Sequence, residues 1–103
     1  MEKSNLLGTR LAVLVTGRDS AGQEDWAVLA GVVRERGGQL LLARASGEFK
    51  IFEGWVGRIR AADEEAQKTL QGADYVLQLT AGDGPSDVSP EQLEAAGLRW
   101  PTR

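Results

Sequence analysis

The sequence predicts a mainly β domain with two short helices in its C-terminal half. Three observations carry that expectation. Residues 26–60 split into three apolar segments at two turn signals, Gly37-Gly38 and Ser46-Gly47, a spacing that reads as a β-meander. Residues 9–16, TRLAVLVT, form the near-continuous apolar run of a strand buried on both faces. Residues 73–80, ADYVLQLT, alternate so that Tyr75, Leu77 and Leu79 share one face of a last strand.

Taken in order, residues 1–8 read as a frayed arm and residues 9–16 as the first strand. The next stretch, GRDSAGQED over residues 17–25, is a polar loop. Its likeness to a phosphate loop fails because no Lys-Ser/Thr follows. Residues 26–36 admit two readings. As a strand they offer Trp26, several valines and the Gly-Gly turn. As a helix they put Trp26, Leu29, Ala30 and Val33 on one stripe, with Gly31 costing about 1 kcal/mol. The helix would give a ferredoxin-like βαββαβ order. The strand gives a barrel-like meander, and two close glycine-tipped turns favour it.

Residues 39–45 and 48–52 are strands in either reading. Residues 56–60 continue as a strand if Gly54 bends the chain, or join a long helical stripe through Trp55, Ile59, Ala62, Ala66 and Leu70. Helix is expected from Asp63 to Gln71. Asp63 is its N-cap, Glu64 and Glu65 lie in its first turn, and Gly72 follows it. Residues 81–88 form a loop. A short helix then runs from Ser89 to Ala96: Ser89 caps it, Pro90 opens it, Gln92 completes a capping box and Gly97 ends it. The segment Leu98-Arg99-Trp100-Pro101 is apolar enough to dock back onto the domain.

Composition sets the chemical bounds. A chain of 103 residues is one domain, with a core large enough to fold unaided. It has no cysteine and no histidine. Thiolate nucleophiles, Cys-based zinc sites and the usual general base near neutral pH are therefore missing. No apolar run approaches a membrane span, and the first ten residues lack a signal peptide's apolar region, so a soluble cytoplasmic protein is expected. Abundant Ala, Gly and Arg hint at a GC-rich bacterial gene.

The net charge of −3 is unevenly spread: residues 26–60 carry six basic and three acidic groups, and residues 61–103 carry three basic and eight acidic. An acidic chain is not expected to bind nucleic acid. A local basic face could still hold an anion.

Hairpin geometry locates that face. With loops at 37–38 and 46–47, Val33 faces Leu42, which faces Ile51, and these form the core side with Leu29 and Phe49. On the other side Arg34 lies opposite Leu41 and then Phe52, while Val32 lies opposite Ala43 and then Lys50. Arg36 sits at the tip. The candidate binding residues are therefore Arg34, Arg36 and Lys50 around Leu41 and Phe52, with Trp55 beside them. Cations next to an exposed aromatic suit an acidic or phosphate-bearing partner. The tryptophans Trp26, Trp55 and Trp100 are expected mostly in the core.

No carboxylate pair converges for acid–base work. The acids at 63–65 serve a helix start, Asp83-x-x-x-Asp87 has too few ligands for calcium, and the serines lack a histidine. No catalytic residue, metal or cofactor is expected.

The short strands of residues 9–60, with VLAGVV in the second and tight hairpins after it, resemble SH3-like and Sm-like small barrels. The resemblance covers about half the chain and omits the Sm-type RNA-binding signature. It implies a barrel architecture and a binding or assembly role rather than an enzyme. Two functions are thus expected. The first is a noncatalytic binding or assembly module that meets a protein partner or self-associates. The second is a small-molecule or anion-binding regulator with a tryptophan-lined pocket.

Overall fold

The computed structural model describes residues 5–18, 22–45, 47–70, 72–81 and 86–95. Six strands form one open mixed sheet: β1 (Arg10–Arg18), β2 (Glu24–Arg36), β3 (Gln39–Arg44), β4 (Gly47–Ile51), β5 (Arg60–Ala61) and β6 (Tyr75–Ala81). The order is β4-β3-β2-β1-β6-β5. Among the described residues a 3-10 helix spans Glu53–Arg58, and two α-helices, α1 (Glu64–Thr69) and α2 (Pro90–Ala95), accompany the sheet.

Residues 26–36 are strand, so the meander reading holds and the ferredoxin-like order does not. Strands β1 to β4 pair antiparallel in succession. The β2–β3 loop is Gly37-Gly38, with φ of 59° and 81°, and Arg36 pairs with Gln39 to close it. A primed two-residue turn needs positive φ at both central residues, and glycine supplies it without steric cost. The expected barrel closure is not seen. Among the described residues β4 and β5 are the two edges of the sheet and do not pair with each other.

The β3–β4 register differs from expectation by two residues. The hairpin closes with Arg44 against Gly47, so Leu42 faces Phe49 rather than Ile51, and Leu41 faces Lys50 rather than Phe52. Ala43 then faces Glu48. Side chains alternate with a period of two, so this slip keeps every residue on its expected face.

Strand β1 lies between β2 and β6, and Leu11, Ala12, Val13 and Val15 are fully buried. Its pairing with β6 is parallel, Val13 opposite Leu77 and Val15 opposite Leu79. One face of the sheet carries Leu29, Val33, Leu42, Phe49, Ile51, Leu77 and Leu79. The 3-10 helix covers this face with Trp55 and Val56, and α2 covers it with Leu93. Of the strand considered for residues 56–60, only Arg60 is strand, in β5; the 3-10 helix takes residues 56–58, and the long helical stripe is broken by β5.

The arm expected to fray is docked over its described part. Leu6 is fully buried, and Gly8 donates its N–H to the Val33 carbonyl at 2.9 Å. Both helix starts are capped as their sequences require. Asp63 accepts from the Ala66 N–H at 2.7 Å. The Ser89 N–H donates to Gln92 Oε1 at 2.8 Å, and the Gln92 N–H donates to Ser89 Oγ at 3.4 Å, a reciprocal capping box. The Leu98–Pro101 segment lies outside the described residues, as does Asp83.

The outward edge of β6 is closed by a polar clamp. Asp87 Oδ2 accepts from the Thr80 N–H at 2.9 Å and from its hydroxyl at 3.1 Å. Arg58 grips Asp87 at 2.9 and 3.2 Å and donates to the Gln78 carbonyl at 2.9 Å. The Arg58 guanidinium, and then the Thr80 N–H, hold the Asp87 carboxyl down from 3.8 to about 2. A carboxyl lowered on folding stabilises above its unfolded pKa and loses that contribution as pH falls through its folded value.

Asp87→Asn should therefore cost about 1 kcal/mol near neutral pH, screened as the pair is by solvent. The difference from the parent should fade between about pH 4 and pH 2. Urea unfolding of both proteins across that range checks it. A difference independent of pH would show that the ion pair is not its source.

Candidate functional site

Residues on even positions of β2 and β4 and on odd positions of β3 share the face opposite the main core. Pairing sets Arg34, Leu41 and Lys50 side by side across β2, β3 and β4. Arg34 and Lys50 are exposed, and among the described residues neither has an ion-pair partner. Arg36 reaches Glu48 through two parallel bonds of 2.8 and 2.9 Å. Because Arg36 pairs with Gln39 and Ala43 pairs with Glu48, this ion pair crosses β3 at Leu41. Leu41 is left only 6% exposed. The face therefore presents three cations and one carboxylate, with Arg36 neutralised locally.

Phe52 does not join that row. β4 ends at Ile51, and Phe52 turns onto Trp55, with ring centroids 4.7 Å apart at 67°. Trp55 is buried and stacks on Phe49 at 5.9 Å. Phe52 remains 43% exposed and lines a groove between β4 and α2, together with Lys50, Gln92 and Ala95. A second groove borders β4 on the Arg36 and Leu41 side, and Ala95 touches it too. The expected site residues thus gather around β4 but divide between its two flanks. Arg34, Arg36, Leu41 and Lys50 lie on the sheet face; Phe52 lies on the α2 side, on a platform of Trp55.

Two contributors escape the sequence reading. Glu48 neutralises Arg36, and the hairpin register shifted by two residues would have placed it there. Helix α2 supplies the far wall of the groove, which no local pattern reveals. Trp26 was expected in the core and is 67% exposed; it borders an open depression with Leu14, Thr16 and Thr80. Even positions of β2 face away from the covered side of the sheet, and no described helix packs over Trp26 there. Trp100 lies outside the described residues.

Among the described residues no cluster of three metal-ligating side chains occurs. None of their helices is long and apolar enough to cross a membrane. The fold and this surface define a small mainly β domain with one strand edge set between two grooves. No protein-family model, curated protein or solved structure matches the chain.

Proposed function

We propose that this protein is a noncatalytic binding or assembly module of a bacterial cytosol, and that its contact surface is the basic side of β4. The supporting observation is that the exposed Arg34 and Lys50 flank Leu41 in one row across β2, β3 and β4 within a chain of net charge −3. The partner it suits is acidic. Exposed charge contacts contribute roughly 0–1 kcal/mol each, so affinity requires several together with apolar contact at Phe52. The strand succession it shares in part with SH3-like and Sm-like barrels fits a binding role by analogy.

Polyglutamate serves as the test ligand. Binding measured by calorimetry should weaken as salt rises, since screening acts over about 8 Å at physiological ionic strength. Arg34→Glu combined with Lys50→Glu should reduce affinity about tenfold or more, the scale of two lost contacts and two new repulsions. Equal affinity of parent and variant, with equal salt dependence, would reject this surface.

A further inference from the structure

The two edges of the sheet are treated differently. On β6, β5 pairs with Tyr75 and Val76, and the clamp of Arg58 and Asp87 occupies the outward groups of Gln78 and Thr80. The Thr80 carbonyl also accepts from the Asp87 and Val88 N–H groups, each at 3.0 Å. Edges left open invite another chain, and such capping prevents it.

Among the described residues strand β4 has no comparable cap. In an antiparallel ladder, alternate residues point their backbone groups at the partner strand. The hairpin closes with Arg44 against Gly47, so Gly47, Phe49 and Ile51 bond inward to β3. The N–H and C=O groups of Glu48 and Lys50 therefore point outward. No described residue hydrogen-bonds to them. Grooves flank this edge on both sides, one walled by α2 and Phe52, the other by Arg36 and Leu41.

We propose that β4 is a strand-addition site for an extended polypeptide with alternating acidic and apolar residues. This rests on the basic-surface reading above and specifies the partner's form. An added strand would hydrogen-bond to Glu48 and Lys50. Its side chains would alternate between the two flanks. Those on the sheet-face side meet Lys50, with Arg34 and the Arg36–Glu48 pair beyond it, where three cations face one carboxylate. Those on the other side enter the groove against Phe52 and Ala95, where apolar side chains fit.

A second copy of the chain is the less suitable occupant. Helix α2 packs against β4. Joining two β4 edges would set the strands about 4.8 Å apart, and each would carry its own α2. Packed helices need about 8–10 Å between axes.

The test uses a capped ten-residue peptide of alternating Glu and Val, a Lys–Val counterpart, and two N-methylated forms of the Glu–Val peptide. Each methylated form blocks alternate amides, and thus one edge of the peptide strand. Calorimetry gives affinities, and amide hydrogen exchange gives the site. The Glu–Val peptide should bind at least tenfold tighter than the Lys–Val peptide at low salt. One methylated form should lose at least tenfold in affinity and the other less than twofold. Exchange at the Glu48 and Lys50 amides should slow at least tenfold.

Equal affinity of both methylated forms would overturn strand addition. If Arg34→Glu with Lys50→Glu still weakened binding in that case, the basic-surface reading would survive alone. Failure of polyglutamate and of both peptides to bind would overturn both. Protection of the Glu48 and Lys50 amides without peptide, rising with protein concentration, would replace the proposal with self-association.

Discussion

Trp55→Ala should destabilise the protein by about 3–5 kcal/mol, the usual cost of deleting a buried aromatic. Trp55 is 7% exposed, stacks on Phe49 at 11° between planes, and holds the edge of Phe52. Val56 and Ile59 flank it in the core. Truncation would leave a cavity beneath the 3-10 helix, which the short helix cannot fill by collapsing. Small domains are stable by only about 5–15 kcal/mol, so this loss is roughly a fifth of the total at the least. Urea unfolding should show the midpoint fall sharply. Trp26→Ala is the matched control: its ring is 67% exposed, and the change should cost less than about 1 kcal/mol, as surface substitutions do. Equal losses at the two positions would contradict the burial pattern.

Gly31→Ala should cost about 1–3 kcal/mol, because the added methyl has no room. β2 changes partners along its length. Residues 24–32 pair with β1 and residues 32–36 pair with β3. At the changeover, a Cβ on Gly31 would meet the carbonyl oxygen of Ala43 and the Arg44 side chain. The carbonyl belongs to the backbone of β3, so relief requires the strands to separate. Had residues 26–36 been helical, the same change would stabilise by about 1 kcal/mol. The sign of the effect in thermal or urea unfolding is therefore decisive. Gly54→Ala is the control, since a Cβ there meets nothing within 4 Å.

Legibility in the sequence followed the range of the interactions involved. The Gly37-Gly38 hairpin was legible because a tight turn needs positive φ, and glycine provides it locally. The caps at Asp63 and Ser89 were legible for the same reason: each is set by side chains within three residues. The face assignments of β2, β3 and β4 were legible because alternation survives a register slip of two. The slip itself was not, since Ser46-Gly47 can close a hairpin at more than one position. For the candidate site, this meant that Arg34, Leu41 and Lys50 could be grouped, while the Arg36–Glu48 pair and the turn of Phe52 onto Trp55 could not.

By itself the sequence pointed to a mainly β chain, a three-strand meander across residues 26–52, two capped short helices and a basic side to that meander. Periodicity, turn chemistry and capping are local, and each is set by neighbours a few residues away. Tertiary structure alone decided that β6 lies parallel to β1, that the sheet stays open, and that Trp55 rather than Trp26 is covered. It also decided that β6 is capped by Asp87 while β4 borders a groove under α2. These outcomes depend on which distant segment covers which surface. Trp26 and Trp55 have identical side chains, and only the presence of Phe49 and Phe52 around one of them separates core from surface.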